Sequence, residues 1–307
     1  MWSSRPLPGV APGRGIGIGF KTSPQGVDWR TLEQTWALAA DLDVFQSGWL
    51  NDHLMDPRLE FGGYSLESMT TLAALARSLP GKWIGHSVVS NTFRHPALMV
   101  KAIGTLDQIT DGHTILGLGA GWHVGEHKAF GVELPPIGER IDRLASAVRV
   151  FKALFSPAAS GPPGVELDDP YYPLSRAVNG PPPKRPGGPP IFLGGQGPRG
   201  LRLAAREADG WVTRNGRDSP VEAFPEKADV LRRTIEQVRR DPSYFSILAT
   251  VNAGVTAEDR RKALADALLF VRSGATHIVI AITAAAGPAA LRLAAREVAE
   301  PLFDAAS

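Results

Sequence analysis

Short, almost wholly apolar runs alternate along this chain with longer stretches in which apolar residues recur every three or four positions. The short runs predict strands over 16–20, 44–50, 83–89, 114–118, 191–193, 210–213, 245–251 and 277–282. The longer stretches predict helices over 29–42, 66–79, 96–109, 139–154, 199–208, 221–239, 257–271 and 288–303. In the last of these, Leu291, Ala294, Ala295 and Val298 share one face. Strands separated by helices imply βαβ units and a parallel sheet. About eight such units closing on themselves make an α/β fold, the (β/α)8 TIM barrel. A single barrel domain is expected over 15–307, after a flexible Pro/Gly-rich lead-in over 1–14.

One stretch breaks the alternation. Residues 156–190 are rich in proline and glycine, including Gly180-Pro181-Pro182-Pro183, so no central strand is expected there. This insertion falls between the fourth and fifth units, beside the barrel's active face. A loop of that length predicts a lid or a wall over an apolar substrate pocket.

Composition narrows the function classes. Apolar residues make up 43% and charged residues 21%, ordinary for a globular protein, and 33 basic against 31 acidic side chains leave a net charge of +2. The basic residues are scattered and not interleaved with aromatics, which argues against nucleic acid as a partner. The chain has no cysteine, which removes disulfides, thiolate metal sites and cysteine nucleophiles. No apolar run is long enough to predict a membrane span, and the N-terminus lacks the apolar centre of a signal peptide. The cytoplasm is the expected compartment.

Four segments carry candidate chemistry. Asn51-Asp52-His53 follows the second strand, where a barrel presents its catalytic rim. An imidazole there suits proton transfer, since free imidazole titrates near neutrality, although a loop histidine held by Asp52 would read the same way. The run from His86 to Pro96 places Ser87, Ser90 and Asn91 to meet the polar edge of a heterocycle, and Arg94 and His95 to pair with an anion or to brace neighbouring strands. In Gly117-Leu118-Gly119-Ala120-Gly121-Trp122-His123 the glycines admit a ring close to the backbone and Trp122 offers a flat apolar wall. His123, Glu126 and His127 have helix-face spacing, but no third metal ligand is evident, so no metal is expected. Finally, Gly194-Gly195-Gln196-Gly197 ends a strand and opens a helix, an arrangement whose free amides suit a phosphate or simply make a tight turn.

Taken in order, WLNDHL, SNTFRHPAL, GLGAGWHVGEHKAFG, LPPIGERIDRL and GGQGPRGLRLAAREADGW resemble the bacterial-luciferase-like superfamily. Within it, TFRHPALMVK followed by GLGAGWH resembles the branch that uses the deazaflavin coenzyme F420. The resemblance implies the TIM barrel again, and an oxidoreductase that moves a hydride between a small organic substrate and the deazaflavin C5. It implies His53 as the residue near the reactive carbon and a cis peptide between Ser87 and Val88 behind the ring. Ser87, Val88, Asn91, Gly121, Trp122, His123 and Glu126 would border the ring. Gly194, Gly195, Gln196 and Gly197 would hold the coenzyme phosphate. Relatives of this kind are often homodimers. Sugar-phosphate dehydrogenases of the branch carry an acidic residue directly after the Gly-x-Gly of the fourth strand, where this chain has Trp122, so sugar-phosphate chemistry is not implied. Two alternatives stay open: an FMN-dependent monooxygenase using reduced flavin and oxygen, and a non-catalytic flavin-binding barrel.

Overall fold

Alternation along the first strand sets the inside and outside of the molecule. In β1 (Gly17–Thr22) the apolar Ile18 and Phe20 pack outward against helices, leaving Gly17, Gly19 and Lys21 on the inner side. The structure, a computed structural model, describes residues 15–59, 63–214, 216 and 220–306. The lead-in expected over 1–14 lies outside the described residues.

Seven further strands run parallel to β1: β2 (Ser47–Leu50), β3 (Trp83–His86), β5 (Thr114–Gly119), β8 (Ile191–Gly194), β9 (Gly210–Arg214), β10 (Ser246–Asn252) and β11 (His277–Ala281). The circle closes where Gly17 of β1 registers with His277 of β11. Each consecutive pair in this order is hydrogen-bonded, so the eight strands form the closed barrel that alternation predicts. Trp49, Trp83, Ile115, Phe192, Val212, Leu248 and Val279 fill its lumen. A larger apolar layer lies between strands and helices.

Glycines on the inner face make room for polar contacts. Ser47 Oγ lies 2.9 Å from His277 Nε2 and accepts from Trp49 Nε1 at 2.8 Å. A Cβ on Gly17 would sit 2.4 Å from the His277 ring, and one on Gly19 2.2 Å from Ser47 Oγ. Burial brings His277 down to a pKa of about 4, so the ring is neutral and structural.

The helices α1 (Trp29–Ala40), α2 (Ser68–Leu75), α3 (Pro96–Ile109), α5 (Ile137–Leu154), α6 (Pro198–Glu207), α7 (Phe224–Gln237), α8 (Ala257–Arg272) and α9 (Gly287–Ala294) match the predicted ones, with ends shifted by a few residues. In α3 both ends match, because Pro96 suits the first turn and the His95 ring accepts the Ala97 amide. The last predicted helix is continuous in register but changes to a π turn at Ala295–Ala299 before α10 (Glu300–Ala306). Among the described residues no helix is long and apolar enough to cross a membrane.

Several elements among the described residues were not predicted. The third strand is interrupted at Ser87-Val88, whose peptide is cis as the resemblance implies, and resumes as β4 (Val89–Ser90) on the edge of β5. A short helix, α4 (Val124–Phe130), starts on a His123 cap and stops at Gly131 with φ +66°. The insertion contains an antiparallel hairpin, β6 (Val165–Leu167) with β7 (Leu174–Ala177), outside the barrel. Beyond the hairpin the insertion packs against α3. Gly180 O accepts from Lys101, Pro182 O from Gln108, and Asp107 from the Lys184 amide, so this part descends along α3. Arg185 then covers the Trp83 ring at 4.4 Å, at the far end of the barrel from the rim.

Candidate active site

The carboxyl ends of the strands carry the polar residues, and the connecting loops hold them to one another. After β2, Asn51 Nδ2 donates to Ser23 Oγ at 3.0 Å and Gln25 Oε1 at 3.1 Å. Asp52 is buried and accepts the Ser90 amide at 2.9 Å and Arg94 at 2.8 and 3.0 Å. Arg94 also pairs with Glu67. Of the two readings open for Arg94, bracing is the one the structure bears out. With Arg94 holding Asp52, the side chain of His53 is free to be fixed from elsewhere.

That fixing comes from Glu126. His53 Nδ1 lies 3.0 Å from Glu126 Oε2, and the second carboxylate oxygen accepts the Leu54 amide and, at 3.3 Å, the Met55 amide. The Glu126 side chain is 1% exposed. Its burial pushes the carboxyl up, but the His53 hydrogen bond and charge and the two amides outweigh this and hold it below the usual carboxylate range. An ionised Glu126 accepts only, so Nδ1 of His53 donates to it, and Nε2 has no partner among the described residues. Trp122, 62% exposed, meets the His53 ring edge-on with centroids 5.9 Å apart, and His123 lies 4.9 Å beyond Trp122. His123 itself is occupied by capping, its Nδ1 accepting the Glu126 amide at 3.0 Å. His53, Trp122, His123 and Glu126 therefore form one group.

Ser87 and Val88 stand on the inner wall. Val88 methyls would lie 2.7 Å from a Cβ on Gly119 and 3.2 Å from one on Gly194, and the His86 carbonyl 1.9 Å from one on Gly117. Gly117 and Gly119 are thus required by packing around the bulge, which accounts for them without a ring. Gly121, at φ +75°, faces Thr92 and Ser90, and its carbonyl accepts from Arg140. The hydroxyls of Ser90 and Thr92 continue to His127 Nε2, each step 2.7 Å.

The turn after β8 is held open. Trp211 Nε1 donates to Gly195 O at 2.8 Å, and Gln196 Oε1 accepts from Thr213 at 3.2 Å and Lys227 at 3.0 Å. Gly197 begins α6 without any side-chain cap, and a Cβ placed on it meets nothing within 4 Å. No side chain caps this ten-residue helix, and because Pro198 has no N–H the amides left to meet an anionic group are those of Arg199 and Gly200. Asn91 is set apart from this group. It reaches toward Tyr172 of the insertion and lines a cavity of its own.

Sequence reasoning missed Lys21. Its Nζ donates to Ser87 O at 2.8 Å and lies 3.4 Å from Ser87 Oγ. Desolvation, with the nearby Arg214 charge, brings it down to about 8. The available signal was the period of two in β1: a lysine follows Gly17 and Gly19 on the inner face. Two strands away, Thr250 registers with Arg214, and its buried hydroxyl has no partner among the described residues.

The F420-dependent glucose-6-phosphate dehydrogenases of Amycolatopsis mediterranei and Microbacterium testaceum are 29% and 31% identical over 73% and 68% of the chain. The chain spans less than two thirds of those relatives' length, 66% and 59%. An F420-dependent secondary alcohol dehydrogenase structure superposes with a TM-score of 0.77, at 17% identity and over 94% of this chain and 99% of that one. A monooxygenase structure from Streptomyces bottropensis superposes at 0.78, also at 17% identity, over 95% and 100%. Those two likenesses show the shared barrel. The family described as luciferase-like monooxygenase matches residues 21–300, and the chain belongs to it.

Proposed function

We propose that this protein is an F420-dependent oxidoreductase acting on a small organic substrate, with His53 as its proton-handling residue. The observation that carries the reading is the pairing of His53 with a buried, ionised Glu126 beside the bulged Ser87-Val88 wall. Support for the coenzyme comes from the relatives, several of which bear F420 in their names. When bound, the deazaflavin supplies the carbon that accepts or gives the hydride. The chain does the rest. The uncapped start of α6 would hold the coenzyme phosphate, with Gly195 and Gln196 fixed behind it. Val88 and Trp122 would bound the ring on its apolar sides, and Ser87 its polar edge. Glu126 holds the Nδ1 proton, so Nε2 is the atom that takes a proton from an alcohol or returns one to a carbonyl. The adjacent carboxylate stabilises the imidazolium formed on the way.

Parallel fluorescence titrations with F420 and FMN test the coenzyme. Micromolar binding of F420 with weak FMN binding is expected. The reverse preference, together with oxygen consumption on adding reduced FMN, would replace this reading with a monooxygenase, which the family's name and the Streptomyces bottropensis likeness keep in view. His53→Ala is expected to leave coenzyme affinity within a few-fold and to lower turnover roughly a hundredfold or more. Unchanged turnover would remove His53 from the mechanism.

A further inference from the structure

The segment that interrupts the third strand has an apolar half and a polar half. Val88 packs its methyls over two bare positions of the inner wall, Gly119 on β5 and Gly194 on β8, where a Cβ would come within 2.7 and 3.2 Å of them. Ser87 turns to β1 instead. Its carbonyl accepts from Lys21 Nζ at 2.8 Å, and its Oγ lies 3.4 Å from the same atom. The Ser87 amide donates to Leu50 O at 2.7 Å, which ties the segment to β2 as well. The Ser87 carbonyl oxygen belongs to the peptide that joins the two residues. A donor on that oxygen therefore sets the tilt of the peptide plane, and with it the direction in which the Val88 side chain leaves the wall. Packing of methyls against glycine has no preferred angle. A charge-assisted hydrogen bond does, and it is about twice as strong as a neutral one.

A lysine is an unfavourable donor at this place. The lumen is filled by apolar side chains such as Trp49 and Val279, and the residues in register with Lys21, Trp49 on β2 and Ala281 on β11, bear no charge. The charged group that acts on it is a second cation, Arg214 on β9. Desolvation, then this cation, bring Lys21 down to about 8. An apolar side chain of the same length would fill the position without that opposition. Charges held against desolvation in this way gather where binding and chemistry are done.

We propose that Lys21 is a positioning residue of the barrel mouth: through the Ser87 carbonyl it sets the tilt of the Ser87-Val88 wall that bounds the coenzyme ring. This rests on the proposed function, in which those two residues border the ring, and adds to it a residue of the first strand that acts on the ring only through Ser87. A neutral amine still donates, but without its charge, so the wall is held less firmly once Lys21 has lost its proton.

Fluorescence titrations of wild type and Lys21→Met with F420, near pH 7 and near pH 9.5, test this. The wild type should bind F420 at least about fivefold more tightly than the variant near pH 7, and the advantage should shrink near pH 9.5. Ionisation of the coenzyme itself is common to both proteins and cancels in the ratio. A second readout needs no coenzyme. Ser-Val occurs once in the chain, so carbonyl-labelled serine with nitrogen-labelled valine gives one carbon-detected NMR signal, that of the Ser87-Val88 peptide. In the wild type this signal should move with a midpoint of about 8, and in Lys21→Met it should stay still. Equal F420 affinity of the two proteins near pH 7, a difference that is the same at both pH values, or a signal that does not move in the wild type would each overturn the proposal. A protein that prefers FMN is titrated with FMN, since the wall is offered to either ring. A Lys21 effect on FMN upholds the role of Lys21 while the coenzyme assignment fails, and equal binding of F420 by both proteins ends the role of Lys21 while that assignment stands.

Discussion

Replacing Lys21 with methionine is expected to reverse sign between neutral and alkaline pH. Lys21 is part-buried, its Nζ bonds to the Ser87 carbonyl, and no carboxylate among the described residues pairs with it. The folded protein lowers its pKa from 10.5 to about 8, first by desolvation and then through Arg214. At about 1.4 kcal/mol per pH unit, the ionised side chain costs the fold about 3 kcal/mol at pH 7. The partial exposure of Lys21 screens part of this, leaving about 2 kcal/mol. The unfolded chain binds the proton more tightly, so wild-type stability attributable to this group rises with pH from about 8 toward 10.5. Methionine has nearly the same length but loses the Ser87 hydrogen bond, worth about 1 kcal/mol. Lys21→Met should therefore be about 1 kcal/mol more stable than wild type at pH 7 and about 1 kcal/mol less stable above pH 10.5. Urea unfolding of both proteins at the two pH values reads the change, since every other lysine cancels in the difference. A stability difference constant with pH would refute the reasoning, because it would mean that Lys21 titrates alike in the folded and unfolded chains.

Three further outcomes follow from the same geometry. Glu126→Gln should cost about 1–3 kcal/mol at neutral pH in denaturant titrations, and the difference should disappear as the pH falls through the lowered folded value, since a depressed carboxyl contributes only while ionised. His277, at about 4 when folded, should make the wild type lose about 3 kcal/mol as the pH falls from 6.5 to 4, because the unfolded chain takes up the proton first; His277→Asn should flatten that part of the stability curve. Gly117→Ala, whose Cβ would lie 1.9 Å from the His86 carbonyl, should lower the thermal midpoint severely or prevent folding, whereas Gly197→Ala, with nothing within 4 Å, should leave the midpoint unchanged.

The architecture could be read from the chain because burial imposes a period. Every predicted barrel strand is found, and α3 is found to the residue, since each presents a continuous apolar face to a core that must be filled. The hairpin β6–β7 escaped because its residues are exposed or half-buried and carry no such period. The helix α4 escaped because seven residues are too short for one to show, with Val124 and Phe130 exposed.

At the site the sequence determined which chemical groups would stand at the strand ends: His53 after β2, Ser87 and Val88 after β3, Gly121 to Glu126 after β5, and the glycine turn after β8. Which of them act on one another was decided only in three dimensions. His53 and Glu126 are 73 positions apart, and Lys21 and Ser87 are 66 apart. Asn91, just after β4, and Arg140, on α5, border the same cavity. Local periodicity reports whether a residue faces a core, because burial acts on each position separately. Hydrogen bonds and charge pairs depend on positions brought together by barrel closure, and no spacing along the chain encodes them.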